Sequence, residues 1–250
     1  MKFFDRTFST PAENLAADEA LLDWREQYGG DEILRFWESP EPFVVVGYAN
    51  KIATEVDADA CEKNQVPILR RCSGGGTVLQ GRGCLNYALI LRIAENSPLA
   101  NISSANQFIM DRNRAAIQTL LPAFETTPSV FHYSIISISG HTDLTIGDAK
   151  FSGNSQRRHK SFLLFHGTFL LNFNLALIEQ CLKLPSLQPD YRHNRSHGEF
   201  VRNLSLPAAQ VKAAMKKIWK AENELQNFPE VEIQRLAAEK YASRDWNFKF

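Results

Sequence analysis

Three consecutive glycines, Gly74, Gly75 and Gly76, constrain the fold of this chain more than any other feature of the sequence. Glycine adds no side chain to a core and loses more backbone entropy on folding than any other residue, so the run is unsuited to the interior of a helix or strand. A backbone without Cβ atoms can present successive N–H groups to an anion. Arg70 and Arg71 precede the run and can add charge-assisted donors. The sequence therefore predicts an anion-binding loop, with a plain flexible turn as the alternative.

A second polar segment begins at Lys150 and contains a Ser-Gly pair at positions 152 and 153. An apolar, strand-like segment over residues 161–171 follows it, and the sequence His-Gly-Thr interrupts that segment at positions 166–168. A lysine in a turn after Gly147 and Asp148 would ordinarily be a solvated surface residue. The Ser-Gly and His-Gly-Thr sequences that follow Lys150 instead favour a role in a binding site.

Together the two segments resemble the lipoate-protein ligase family, which shares a catalytic fold with biotin-protein ligases and octanoyltransferases. The family signature Arg-Arg-x-Ser-Gly-Gly-Gly-x-Val matches residues 70–78. The signatures Lys-x-Ser-Gly-x-Ala-Gln-Arg and His-Gly-Thr-Leu-Leu match residues 150–157 and 166–170, with Ser155 in place of alanine and Phe169 in place of leucine. Similarity extends over most of the chain, to residues 14–22, 34–37, 44–47 and 241–248.

This resemblance implies an α+β fold in which mixed, largely antiparallel β-sheets are flanked by helices, as in class II synthetase-like catalytic domains. It implies ATP-dependent activation of lipoate to lipoyl-AMP with Mg²⁺, and transfer of the lipoyl group to a lysine of a carrier such as an E2 subunit or H protein. Lys150 corresponds to the family's catalytic lysine, whose ammonium can follow charge as it moves between oxygens. Substrate and nucleotide contacts are implied for Trp37, Arg70, Arg71, Ser73, Gly74, Gly75, Gly76, Thr77, Val78, Gln80, Asn86, Ser152, Gly153, His166, Gly167 and Thr168. Metal ligands stay unassigned.

The chain departs from the family pattern just after the glycine run. The family usually reads Val-Tyr/Phe-His-Asp-x-Gly-Asn-x-Asn, whereas here Gln80 replaces the histidine and Cys84 follows Gly83 in place of asparagine. Gln80 keeps hydrogen-bonding capacity but carries no proton at neutral pH, so it can orient a ligand but cannot act as acid or base. Asn86 keeps the last asparagine and is a metal or phosphate contact by resemblance.

The cysteines bear on two sister activities of this superfamily. Octanoyltransferases and lipoyl amidotransferases that form a thioester use a cysteine nucleophile and no ATP. In one group this cysteine precedes the lysine at a position near Ile135, and in the other it follows the His-Gly strand in a Pro-Cys-Gly context that Cys181 lacks. Cys84 is the remaining candidate, although a strand cysteine is more often a small core residue. An ATP-dependent ligase is therefore the leading hypothesis, and carrier-dependent acyl transfer is the alternative.

Composition fits one catalytic domain over residues 1–250. The chain has 250 residues, of which 44% are hydrophobic, and this is enough for a sizeable core. Its 28 basic and 28 acidic residues cancel, so no global field favours nucleic acid or an anionic membrane. We recognise no secretory signal or apolar membrane span and expect a cytoplasmic protein.

Full-length ligases of this family often carry an accessory domain, and no C-terminal accessory domain is evident here. Three further hypotheses therefore stay open. The chain needs a separate accessory subunit, performs only the transfer from lipoyl-AMP, or serves as an assembly subunit without turnover.

Hydrophobic periodicity and turn residues predict the secondary structure. Strands are predicted at residues 2–7, 32–37, 43–48, 66–71, 129–139, 143–146 and 161–172, with a short β segment at 151–152. A hairpin is predicted from residues 77–79 and 84–93 around 80–83. Helices are predicted from the Thr10–Glu13 capping box to about Gln27, and at 57–64, 104–121, 175–181, 207–222 and 231–242.

Overall fold

The structure is a computed structural model that describes residues 1–121, 135–185 and 187–250. Its strands are β1 (Lys2–Asp5), β2 (Ile33–Trp37), β3 (Phe43–Val46), β4 (Ile68–Arg70), β5 (Val78–Gln80), β6 (Cys84–Arg92), β7 (Ile136–Ser139), β8 (Asp143–Ile146), β9 (Ala149–Arg158), β10 (Phe162–Leu170) and β11 (Asn223–Glu224). Its helices are α1 (Pro11–Tyr28), α2 (Ile52–Glu55), α3 (Ala58–Lys63), α4 (Ile102–Gln118), α5 (Leu175–Cys181), α6 (His197–Phe200), α7 (Ala208–Ile218), α8 (Glu230–Leu236) and α9 (Arg244–Asn247). A 3-10 turn spans Asp190–Arg192, and a π-helical turn, Ala237–Tyr241, follows α8.

The strands form two sheets of unequal size. The larger sheet has the order β11-β1-β2-β6-β10-β9-β8-β7, in which β1 runs parallel to β2 and β11 and the other neighbours are antiparallel. The smaller sheet has the order β4-β3-β5, with β3 parallel to β4 and antiparallel to β5. The predicted α+β class with mixed, largely antiparallel sheets is confirmed.

Helices cover both faces of the larger sheet because its central strands are apolar on both sides. Leu34 and Phe36 of β2 pack in a core with residues of α4 and α7, whereas Ile33 and Trp37 pack in a second core with residues of α1 and α8. Successive strand residues point to opposite faces, and this alternation separates the two cores. A third core joins the smaller sheet to α3 and α5.

Helix α1 starts where the sequence indicates. The side chain of Thr10 accepts a hydrogen bond from the backbone N–H of Glu13 at 3.2 Å, and Glu13 Oε2 accepts one from the Thr10 N–H at 2.8 Å. Pro11 occupies the first helical turn, where its missing N–H costs no hydrogen bond. This capping box is confirmed, and it fixes the register that turns Asp18 towards the larger sheet.

The predicted hairpin of residues 77–79 and 84–93 is wrong. Strand β5 pairs with β3 in the smaller sheet, and β6 pairs with β2 and β10 in the larger one. The backbone carbonyl of Gly83 accepts hydrogen bonds from the N–H groups of Leu171 and Asn172, at 2.8 and 3.2 Å. These hydrogen bonds hold Gly83 at the end of β10, where the chain passes from the smaller sheet to the larger one.

Several short elements differ from the sequence-based prediction. Strand β9 covers ten residues, so Lys150 lies in a strand rather than in a turn. Helices α2, α6 and α9 have four residues each, which is too short to show helical periodicity. Of the strand predicted at 129–139, the structure places β7 at Ile136–Ser139, and residues 129–134 lie outside the described residues. No helix within the described ranges combines the length and apolar character needed to cross a bilayer.

Candidate active site

Two rows of directly opposed residues cross the face of the larger sheet that α1 covers. Opposed residues in neighbouring antiparallel strands share a face, with their Cβ atoms about 4.5–5.5 Å apart. The first row comprises Trp37, Asn86, Thr168 and Gly153, from β2, β6, β10 and β9. The second row comprises Arg35, Ala88, His166 and Ser155 from the same strands. The pleat therefore brings polar residues from four strands together on one surface.

A cavity of about 930 Å³ lies against these rows, where the two sheets meet. The residues predicted from sequence that line it are Trp37, Arg71, Gly75, Gly76, Thr77, Val78, Gln80, Asn86, Lys150, Ser152, Gly153, His166, Gly167 and Thr168. Arg70, Ser73 and Gly74 are not among its lining residues. Segments far apart in the sequence thus form one concave surface of a size suited to a small-molecule ligand.

Lys150 places a positive charge at the β9 end of the first row. Its Nζ lies 2.8 Å from Asp143 Oδ1, and the other carboxylate oxygen accepts a hydrogen bond from the Tyr191 hydroxyl at 2.6 Å. Burial, with the nearby Asp143 charge, raises the pKa of Tyr191, so the phenol keeps its proton. A Cβ atom on Gly153 would lie 2.7 Å from Lys150 Nζ, so the ammonium rests directly on this glycine.

The glycine loop, residues 73–77 between β4 and β5, is organised by Arg71. The buried guanidinium donates to the backbone carbonyl oxygens of Gly74 and Gly76, at 2.5 and 2.8 Å from Nη2, and to that of Val45 at 3.3 Å from Nη1. Because a trans peptide carries its C=O and N–H on opposite sides, carbonyls directed at Arg71 turn the following N–H groups away from it. Burial lowers the pKa of Arg71 to about 10, which still leaves it charged at neutral pH.

The exit of the glycine loop is fixed by Glu55 at the end of α2. Its Oε2 accepts hydrogen bonds from the Thr77 hydroxyl at 2.5 Å, the Thr77 N–H at 3.2 Å and Asn50 Nδ2 at 2.7 Å. The N–H groups of Gly75 and Gly76 have no hydrogen-bond partner within the described residues. Gly75 and Gly76 line the same cavity as Lys150, and backbone donors together with a cation suit an anionic ligand.

Replacing Gly47 by alanine should disturb the glycine loop. A Cβ atom at Gly47 would lie 2.0 Å from the carbonyl oxygen of Gly75, so the loop backbone must move. Because loss of one preorganised donor costs about 10²–10³ in rate, we expect Gly47→Ala to lower the kcat/KM of an enzyme that uses this site about 100-fold. Ala49→Val is the control, since Ala49 is exposed in the same turn. Equal kinetics for Gly47→Ala and wild type would contradict the close approach.

His166 is held between an acid and a hydroxyl. Its Nδ1 lies 2.9 Å from Asp18 Oδ2 and its Nε2 lies 2.6 Å from Ser73 Oγ, which also accepts from Arg71 Nε at 3.1 Å. Since the Asp18 carboxylate can only accept, we assign the ring proton to Nδ1, so Nε2 accepts from the Ser73 hydroxyl. Ser73 is only 1% exposed, so this Ser-His-Asp chain positions the imidazole and does not supply a nucleophile.

Asp18 is neutralised from the other side by Arg35, and both side chains are buried. Burial would raise the pKa of Asp18, but the Arg35 guanidinium and the hydrogen bond from His166 outweigh it and lower the pKa below its ordinary value of 3.8. Sequence reasoning did not single out Asp18, Glu55, Asp143 or Tyr191. Asp18 lies within the similar segment at residues 14–22, and this was the only sequence signal for any of the four.

Arg70 has a different position from Arg71. Its Nη1 donates to the carbonyl oxygens of Gly47 and Asn50, at 2.8 and 2.7 Å, and its Nη2 donates to that of Asn247 at 3.0 Å. The side chain is fully buried and joins the turn after β3 to α9. The structure therefore gives Arg70 contacts with the backbone and not with the cavity.

The missing side chain of Gly167 leaves space on the face of the sheet opposite the two rows. A Cβ atom there would lie 1.6 Å from Asn154 Oδ1, the atom that accepts a hydrogen bond from the Tyr87 hydroxyl at 2.5 Å across β10. Asn113 Nδ2 donates to the same hydroxyl at 2.7 Å. The missing side chain thus makes room for a buried polar chain between the sheet and α4.

All four cysteines of the chain are buried, and none lines the cavity. Burial raises the pKa of Cys72 to about 11, that of Cys61 to about 12, and that of Cys84 further still. Burial also raises the pKa of Cys181. Because the thiolate is the nucleophilic form, these thiols are unreactive at neutral pH in this structure.

The described residues contain no group of three or more His, Cys, Asp or Glu side chains that could hold a metal ion. Two acids that line the cavity are already paired, Asp143 with Lys150 and Glu55 with Thr77.

The fold and this cavity define an enzyme of the lipoate ligase and octanoyltransferase class. Residues 10–221 match the model of the lipoyl protein ligase A/B catalytic domain, so the chain belongs to that family. The resemblance of the motifs around Arg71, Lys150 and His166 to this family is confirmed.

The similar proteins include both octanoyltransferases and lipoate-protein ligases. The chain is 25% identical over 272 residues to the octanoyltransferase LipM of Halalkalibacterium halodurans, covering 99% of this chain and 98% of the relative. It is 28% identical over 194 residues to the lipoate-protein ligase A subunit 1 of Thermoplasma acidophilum, covering 77% of this chain and 70% of the relative. A solved bipartite lipoate protein ligase from that organism, described with its E2 lipoyl domain, is similar in fold with a TM-score of 0.80 and 23% identity, over 99% of this chain and 96% of that one.

Proposed function

We propose that the chain transfers a lipoyl group from lipoyl-AMP to a lysine of a lipoyl-domain protein, and that it forms the adenylate itself from lipoate and ATP. The observation that carries this proposal is the cavity wall, which offers a cation and free backbone donors but, among the described residues, no thiol. A thioester-forming transferase needs a reactive cysteine at this place. An acyl-adenylate needs none, because AMP is already a good leaving group.

In the first step, a lipoate carboxylate oxygen bonds to the α-phosphorus of ATP and the bond to pyrophosphate breaks. This step brings two anions together, so positive charge and N–H donors must offset their repulsion. Lys150 and the N–H groups of Gly75 and Gly76 supply them from this chain. Mg²⁺ accompanies the phosphates of ATP in this proposal, and no protein side chain is assigned to it.

In the second step, the amine of the acceptor lysine bonds to the acyl carbon and the bond to AMP breaks. Charge then develops on the acyl oxygen and on the departing phosphate. The Lys150 ammonium can serve both if it exchanges Asp143 for the ligand. The acceptor would be a lipoyl domain, as named for the bipartite ligase of similar fold, or an H protein.

A second candidate is octanoyl transfer from a carrier protein without ATP. The octanoyltransferase relative favours it, because the two chains match over nearly their whole lengths. The Thermoplasma ligase subunit favours a variant of the first proposal, in which a separate accessory chain is needed for activation. Each candidate requires a different acyl donor.

The test supplies a lipoyl-domain acceptor with one of three donors and follows its intact mass. The donors are free lipoate with ATP and Mg²⁺, preformed lipoyl-AMP, and an octanoyl carrier protein. We expect the first two to lipoylate the acceptor and Cys84→Ala to match wild type, because Cys84 is buried and away from the cavity. Product from lipoyl-AMP alone would restrict the proposal to transfer with an accessory chain. Product from the octanoyl carrier alone would overturn it.

A further inference from the structure

One buried oxygen on the cavity wall has no hydrogen-bond partner within the described residues. Gln80 is 5% exposed and lines the cavity, and the unpaired atom is its Oε1. Buried polar atoms are nearly always hydrogen-bonded, because an unpaired one loses water and gains nothing. An unpaired acceptor on a residue that lines a binding cavity therefore points to a donor on the ligand.

The neighbouring hydrogen bonds decide that the free atom is oxygen and not nitrogen. Asn86 Nδ2 donates to the Cys84 carbonyl at 3.4 Å, which leaves Asn86 Oδ1 to face Thr168. The Thr168 hydroxyl must then donate to Asn86 Oδ1, at 2.7 Å, and can only accept from Gln80. Gln80 Nε2 fills that place at 2.6 Å. The amide orientation follows from this chain of donors, and Oε1 remains for the ligand.

This oxygen lies near the centre of the reaction. Thr168, which holds the Gln80 amide, is directly opposed to Gly153 in the sheet, and the Lys150 ammonium rests on Gly153. Neighbouring strands are about 4.8 Å apart, so Gln80 and Lys150 flank the same part of the cavity. At that place the acyl carbonyl and the bridging phosphate oxygen are acceptors, which suit Lys150. The attacking amine is a donor, and only an acceptor can orient it.

We propose that Gln80 Oε1 accepts a hydrogen bond from the amine of the acceptor lysine and so positions it for attack on the acyl carbon. The proposal rests on the proposed function, because it needs an acyl group passed to a lysine. In the step, the C–N bond forms and the C–O bond to AMP breaks. The proton released by the nitrogen leaves with the AMP phosphate or to solvent, because an amide oxygen does not take it. Gln80 is thus a positioning residue for the nucleophile.

The test compares Gln80→Met, which removes the acceptor at similar volume, with Gln80→Glu, which keeps an oxygen acceptor. Two rates are measured for each variant. The first is lipoyl-AMP formation without acceptor protein, and the second is single-turnover transfer from preformed lipoyl-AMP to a lipoyl domain. We expect Gln80→Met to slow transfer about 10- to 100-fold and to leave adenylate formation within about twofold, since the lost hydrogen bond is one to a nitrogen that gains positive charge as the C–N bond forms, which happens only in transfer. Gln80→Glu should restore most of the transfer rate.

The outcomes separate this inference from the proposed function. If the wild-type protein does not transfer the lipoyl group from lipoyl-AMP, the proposed function is overturned, whatever the variants do. If wild type transfers and Gln80→Met slows adenylate formation as much as transfer, the donor is a hydroxyl or amino group of the nucleotide and the inference is overturned. Unchanged rates in Gln80→Met would also overturn it, because the oxygen would then serve no ligand.

Discussion

Lys150→Ala should abolish product formation while leaving the protein folded. We expect kcat/KM for lipoylation to fall at least about 10³-fold, because in the proposed mechanism the side chain supplies the positive charge for the reacting oxygens and loss of one preorganised donor already costs about 10²–10³. The Lys150 side chain is 24% exposed and pairs with a single carboxylate, so its removal takes little from the core. The measurement is steady-state lipoylation by intact mass, with the melting temperature measured alongside.

Lys160→Ala is the matched control, because Lys160 is an exposed lysine in the turn after β9. It should behave as wild type. A Lys150→Ala enzyme with more than about a tenth of wild-type activity would rule out the central role assigned to this ammonium. A large fall in melting temperature would instead show that its contact with Asp143 is structural.

Arg35→Leu should lower the stability of the protein more than Lys150→Ala or Gly47→Ala. The change leaves the Asp18 carboxylate buried without its cation, and breaking a buried pair in this way costs about 3–5 kcal/mol. Chemical denaturation should show a correspondingly lower free energy of unfolding. Arg114→Leu is the control, because its pair with Asp111 is exposed on both sides and such pairs contribute about 0–1 kcal/mol.

The same pair predicts a response to pH. The pKa of Asp18 is lowered in the folded state, so its contribution to stability is present above its unfolded pKa of about 3.8 and is lost as the pH falls further. Without Arg35, burial dominates and raises the folded-state pKa of Asp18 above its unfolded value, so protonation relieves the buried charge and the stability deficit of Arg35→Leu relative to wild type should shrink as the pH falls. Identical acid unfolding curves for the variant and wild type would contradict this account.

Most of the site could be predicted from the sequence, because the glycine run and the family motifs are local. Residues 70–78, 150–157 and 166–170 each carry their own signal, and the structure brings most of them to one cavity. The different positions of Arg70, away from the cavity, and Arg71, beside it, could not be predicted. Adjacent strand-end arginines look alike in sequence, and only the position of α9 shows that Arg70 is a backbone anchor.

Contacts between distant segments escaped prediction for a similar reason. Asp143 and Tyr191 meet only because β8 pairs with β9 and the 3-10 turn lies beside them. The hairpin error has the same origin, since the turn after Gln80 is decided by hydrogen bonds from Leu171 and Asn172 far along the chain. Gly167 lines the cavity and its contact with a ligand stays a prediction, but the sequence did not indicate that its missing Cβ also makes room for Asn154.

Residues along β10 alternate between the two faces of the sheet, so this strand has two independent roles. His166 and Thr168 face the cavity, while Gly167 between them faces the polar chain beneath α4. A one-residue deletion or insertion in β10 would exchange the two faces of the strand. A bulky side chain would then lie against Asn154, and the Thr168 hydroxyl would no longer face the cavity. The length of β10 is therefore constrained along with its residues, because only this length keeps His166 and Thr168 on the cavity side and Gly167 beside Asn154.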